Sequence, residues 1–129
     1  MTLRIVRLGS ARTRDEGLRI GTVRRPPRGV PKAEFASRDY YDVWFPTLAP
    51  SVETMKLGQQ AVTDAEWAAF ARAYRAEMNA PEPTHALQLL AALSKHTDLA
   101  VGCYCENEAR CHRSLLRELL ARAGAQIAR

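Results

Sequence analysis

The residues best equipped for chemistry stand in one run near the C-terminus: Cys103-Tyr104-Cys105-Glu106-Asn107-Glu108-Ala109-Arg110-Cys111-His112-Arg113-Ser114. The run leaves an apolar stretch and enters a segment of helical periodicity. Its end therefore coincides with a helix N-terminus, where free backbone amides and the helix dipole favour an anion. Arg110 and Arg113 add forked cationic donors suited to phosphate or carboxylate, and Ser114 adds a hydroxyl. The expectation is an anion pocket built from Arg113, Ser114 and Cys111, with Arg24 and Arg28 approaching from an earlier loop. The plain alternative is that the arginines pair with Glu106 or Glu108 at the surface.

Three sharper chemistries use the same residues. Cys111 and Arg117 have the Cys-x5-Arg spacing of a phosphatase loop, and a thiol at a helix N-terminus is a conceivable nucleophile. The intervening His-Arg-Ser-Leu-Leu lacks the glycines that such a loop wants, so Cys111 is a weak catalytic candidate. Cys103, Cys105, Cys111 and His112 make a Cys-x-Cys-x5-Cys-His set that zinc can accept. That spacing is not a common knuckle, and His112 falls on an apolar helix face where a core histidine is ordinary. A pairing of Cys111 with His85 or His96 has nothing in the sequence to bring it about. The expectation is therefore no bound metal, no cofactor and no disulfide. Cys111 is expected to be the most reactive thiol, unless it is buried and inert.

Tyr40, Tyr41, Trp44 and Phe45 form an aromatic cluster beside Asp39 and Asp42. Clustered rings usually belong to a core, but Tyr41 and Trp44, with His112, are candidate pocket walls. Charge is unevenly spread: residues 1–38 hold ten Lys/Arg against three Asp/Glu, and residues 39–129 hold nine against eleven. A basic N-terminal part can attract phosphates or nucleic acid. No aromatic residues interleave with those arginines, as a single-strand binder would want.

These residues need elements to position them. Leu3–Leu8 and Leu18–Arg24 read as strands, separated by a polar loop. Three prolines between Arg25 and Lys32 exclude regular structure and make a stiff basic loop. Asp39–Pro46 is expected to be short and extended, and Ser51 or Pro50 to open a helical turn through Met55. Thr63 and Glu66 form a capping box for a helix running to about Met78, with Trp67, Phe70, Ala71, Tyr74 and Met78 on one face. Pro81 and Pro83 are expected to stop it and Thr84 to cap the next helix, with Leu87, Leu90, Ala91 and Leu93 inward. Asp98–Cys105 reads as a buried parallel strand, on which Cys103 and Cys105 would share a face. Cys111–Ala123 reads as a helix stopped by Gly124. The order predicts an α/β fold, a single domain over residues 1–129, with an open, mostly parallel sheet flanked by helices. Ligands in such sheets sit beyond the carboxyl ends of the strands, which is where Cys105–Ser114 falls.

Four stretches resemble the YeaO-like proteins, domain of unknown function 488. They are Arg19-Ile20 through Arg24 with Pro27-Arg28-Gly29, Trp44 through Leu48-Ala49-Pro50-Ser51, the helix of Phe70 and Tyr74, and Cys105 through Cys111-His112-Arg113-Ser114. The resemblance implies a compact α/β fold and brings no activity with it. Val23 stands where that pattern has an acid, and Pro26 where it has an aromatic residue. If that acid is catalytic in relatives, this chain lacks it.

With 129 residues, 47% hydrophobic and 26% charged, the chain is an ordinary globular one, without a membrane-length apolar run or a signal peptide. Its clustered, odd cysteines suit a reducing compartment, so a cytoplasmic, bacterial-type protein is expected. The expected function is binding of a phosphorylated or other anionic small molecule, possibly nucleotide-like, at Cys105–Ser114. The alternatives are a nucleic-acid-binding module using the basic N-terminal part and a protein-interaction module anchored by Trp44 and Phe45.

Overall fold

In the computed structural model, which describes residues 1–128, four parallel strands are hydrogen-bonded in the order β1-β4-β2-β3. They are β1 (Leu3–Arg7), β2 (Leu18–Gly21), β3 (Val43–Trp44) and β4 (Leu99–Cys103). The last strand in sequence is central. Its Leu99–Cys103 pair in register with Leu3–Arg7 on one side, and its Leu99–Gly102 with Leu18–Gly21 on the other. All five of its residues are buried, as a strand covered on both faces requires.

Four helices connect and cover the sheet: α1 (Val52–Gln60), α2 (Asp64–Met78), α3 (Pro81–Leu93) and α4 (His112–Arg122). Leu3, Ile20, Leu99 and Val101 from the sheet meet Phe70, Tyr74, Leu87, Leu90, Leu116 and Leu120 from the helices in one core. Each such side chain, fully buried, stabilises the fold by about 1.5–3 kcal/mol. A second cluster of Leu8, Val23, Tyr41, Cys103 and Cys111 closes the carboxyl ends of the strands.

The capping box forms as its spacing requires: the Thr63 hydroxyl accepts from the Glu66 amide, and the Glu66 carboxylate from the Thr63 amide. Gly124, at φ 97°, ends α4. Four local readings need correction. Helix α1 runs well past Met55, to Gln60. Pro81 and Pro83 lie inside the first turn of α3, with Ala80 as its N-cap and no side-chain cap. Their missing amides are among those a helix leaves unpaired anyway, and Thr84 instead donates its hydroxyl to the Met78 carbonyl. Leu93 is 38% exposed rather than inward. Strand β4 ends at Cys103, so Cys105 lies in the loop beyond it.

Much of the N-terminal charge is consumed internally. Arg19 is fully buried and grips Glu16 with two bonds of 2.7 Å, its remaining nitrogen donating to the Ser10 and Asp39 carbonyls. Arg12 grips Asp42 and reaches Asp39. Burial works against the Asp42 charge, but bonds from Arg12 and the Arg19 amide outweigh it and hold the carboxyl below its usual range. Asp42 is thus a brace for the loop, not a free acid or base.

No helix is long and apolar enough to cross a membrane among the described residues.

Candidate functional site

A cleft of about 1090 Å³ opens at the carboxyl ends of the strands. Its floor is Cys103, at the end of β4, with Cys111 and His112, at the start of α4. Its walls are the proline-rich loop after β2, carrying Arg24, Arg25 and Arg28, together with α1 with Lys56 and α2 with Trp67 and Phe70. Arg7 leaves the end of β1, and Arg110, Cys105, Tyr40 and Tyr104 complete the rim. Six of the lining residues are cationic and none is acidic.

The cations differ in freedom. Arg24 is half-buried and donates to the carbonyls of Pro46, Ala49 and Pro50, so it fastens the turn before α1. Arg110 pairs with Asp64 at 2.6 Å and lies over the Trp67 ring at 5.7 Å. Arg7 is 3.6 Å from Glu106. Arg25, Arg28 and Lys56 are exposed and form no ion pair among the described residues. The Tyr104 hydroxyl donates to the Arg25 carbonyl at 2.9 Å and so ties the basic loop to the cysteine loop.

The thiols divide sharply. Cys103 and Cys111 are 2% and 3% exposed, with their sulfurs 2.6 Å apart, whereas Cys105 is exposed. The neighbouring Cys103 and Cys111 thiols and the Arg113 charge outweigh burial and hold the Cys105 thiol below its ordinary range. The same crowding of thiols pushes Cys103 up, and burial adds to it. The exposed thiol is therefore Cys105, and Cys111, the expected reactive residue, is buried as the N-cap of α4.

Of the residues expected to bind an anion, Arg24, Arg28 and Cys111 line the cleft, but Arg113 and Ser114 do not. The second position of α4 turns inward, so Arg113 is 4% exposed beneath the turn and donates to the Cys105 carbonyl at 2.5 Å. Its Nε has no partner, and it forms no ion pair among the described residues. The Ser114 hydroxyl donates back to the Cys111 carbonyl. Of the expected pocket walls, only His112 is one. Tyr41 is buried with its ring over Gly21, where a Cβ would collide with it, and edge-on to Phe35. Trp44 stays 46% exposed on the edge strand, its indole donating to the Val23 carbonyl. Phe45 packs partly buried against the main core.

The phosphatase reading fails on geometry. Residues 112–117 are helical, and Arg117 grips Glu108 with bonds of 3.0 and 2.9 Å. His85 and His96 are exposed and do not line the cleft. Arg7, Arg25, Lys56, Trp67 and Phe70 were not expected in a site. Arg25 alone carried a signal, as the neighbour of Arg24 in the stiff loop.

Fold and cleft together define an open parallel α/β domain with a cationic, thiol-floored site at the carboxyl ends of its strands. A family model described as the active DUF488-N3 subclade matches residues 3–124, and the chain belongs to this DUF488 family. No curated protein and no solved structure matches the chain.

Proposed function

We propose that the cleft binds a phosphorylated small molecule carrying a flat ring, of the nucleotide class. The observation that carries this reading is the charge of the lining, six cations without one acid. Arg25, Arg28 and Lys56 are the free donors for the phosphate, and guanidinium forks match phosphate oxygens in pairs. Tyr40, Trp67 and Tyr104, half-buried at the same cleft, give it aromatic surface against which a base or similar plane can pack. A concave site with convergent polar groups on apolar walls suits a small ligand better than a duplex. The family's description as active agrees with a role in chemistry.

Nucleic-acid binding through residues 1–38 is the weaker reading, because Arg12 and Arg19 are spent inside the fold. A thermal-shift screen of inorganic phosphate, nucleoside monophosphates and diphosphates, and uncharged nucleosides tests the proposal. Phosphorylated nucleosides should stabilise the wild type more than either part alone, and Arg28→Ala should lose most of that shift. Equal shifts for wild type and both Arg25→Ala and Arg28→Ala would refute the site.

A further inference from the structure

The thiols of Cys103 and Cys111 and the ring of His112 meet at the floor of the cleft, and the anion reading makes no use of them. All three side chains are buried, and their donor atoms lie within 4.8 Å of one another. The histidine is already set for coordination. Its Nε2 is 2.9 Å from the Thr22 carbonyl oxygen, which can only accept, so Nε2 carries the proton. Nδ1 is left as the acceptor, its lone pair 3.8 Å from Cys111 Sγ. One ring nitrogen fixed by a backbone carbonyl, with the other turned toward soft donors, is the arrangement of a metal-ligating histidine. The Thr22 carbonyl is itself held firmly. Thr22 is fully buried, and its amide and hydroxyl both donate to the Gly102 carbonyl, at 3.0 and 2.9 Å.

We infer that Cys103 Sγ, Cys111 Sγ and His112 Nδ1 form a three-ligand site for a zinc-class divalent cation. Two thiolates and an imidazole select such an ion over magnesium or calcium, which want oxygen. The ligands come from the end of β4 and the start of α4, so the ion would tie strand to helix. All three ligand residues line the cleft, and no fourth carboxylate, thiol or imidazole joins the group among the described residues. The fourth corner therefore faces the cleft. Three protein ligands and an open position is the pattern of a metal that takes water or substrate. The sulfurs stand 2.6 Å apart, whereas two thiolates on tetrahedral zinc, with bonds of about 2.3 Å, are roughly 3.7 Å apart. Binding thus spreads the pair by about 1 Å, within reach of small side-chain rotations. A disulfide is the competing use of the same sulfurs, and it would leave Nδ1 without a donor in a buried site.

The test uses the full chain, purified under reducing conditions, stripped with a chelator and titrated with Co²⁺ and then Zn²⁺, without phosphate or nucleotide. Its outcome is therefore independent of the anion reading. One metal per chain is expected, with a thiolate-to-cobalt charge-transfer band that Zn²⁺ abolishes. Cys111→Ser and His112→Gln should each weaken binding on the order of 100-fold or more. The glutamine keeps a donor for Thr22 and removes the ligand, so it carries the test if the serine variant fails to fold. Cys105→Ser should keep the stoichiometry. Absence of stoichiometric metal in the wild type, wild-type affinity in His112→Gln, or a Cys103–Cys111 disulfide under these reducing conditions would overturn the inference.

Discussion

At the scale of single residues, burial decides which cysteine reacts. The sequence places Cys111 at a helix N-terminus between two arginines, a setting that favours a thiolate. It does not say which way the side chain turns, and the turn is inward, to 3% exposure. Arg113 follows the same rotation and serves the loop from behind, so its charge acts on Cys105 instead. In metal-free protein, brief iodoacetamide treatment near neutral pH should therefore label Cys105 first, with Cys103 and Cys111 protected until the fold opens. Peptide mapping by mass spectrometry reads this directly, and faster labelling of Cys111 would contradict the assignment. The aromatic candidates show the same limit. Tyr41 and Trp44 are neighbours of the cleft in sequence, but one ring is drawn onto Gly21 and the other is left at the sheet edge.

At the scale of elements, what was legible is what is local. The capping box of α2, the unbroken apolar run of β4 and the glycine stop of α4 each follow from a few adjacent residues. The start of α1 at Ser51 is legible, but its length to Gln60 is not, and its first turn is fastened by a distant partner. Glu77 of α2 accepts from the Ser51 amide and hydroxyl, at 2.9 and 2.5 Å, and from the Thr54 hydroxyl at 2.7 Å. Burial opposes the Glu77 charge, but these bonds and the nearby Arg24 prevail and hold its carboxyl below the usual range. Glu77→Ala should destabilise the protein by about 1–3 kcal/mol in urea unfolding at pH 7. A carboxyl whose pKa is lowered by folding stabilises fully above its unfolded pKa, about 4.3 for glutamate. That contribution is lost as the pH falls through the lower, folded value. The gap between wild type and Glu77→Ala should therefore narrow below about pH 4, and a gap independent of pH would show that the carboxylate charge plays no part.

At the scale of the whole molecule, the α/β class follows from element order, and a cleft lies at the carboxyl ends of the strands, where such sheets hold ligands. The composition of the cleft does not follow from that order, because its walls come from segments remote in the chain. Arg7, Arg28, Lys56 and Arg110 meet only because β4 is central and α1 folds back over the strand ends. The surplus of positive charge in residues 1–38 was visible, but its division into buried braces and free donors is a property of the fold.

The claim that this cleft takes a phosphorylated, ring-bearing ligand is tested most directly by its own tryptophan. The chain has two, of which Trp67 lines the cleft and Trp44 does not. In a Trp44→Phe background, the remaining indole reports on the site alone. Titration with a nucleoside diphosphate should quench or shift its emission saturably, and adding Arg25→Ala and Arg28→Ala together should raise the apparent Kd at least about tenfold, or about 1.4 kcal/mol. Unchanged Trp67 emission across the titration, or the same Kd with and without the two arginines, would contradict the account.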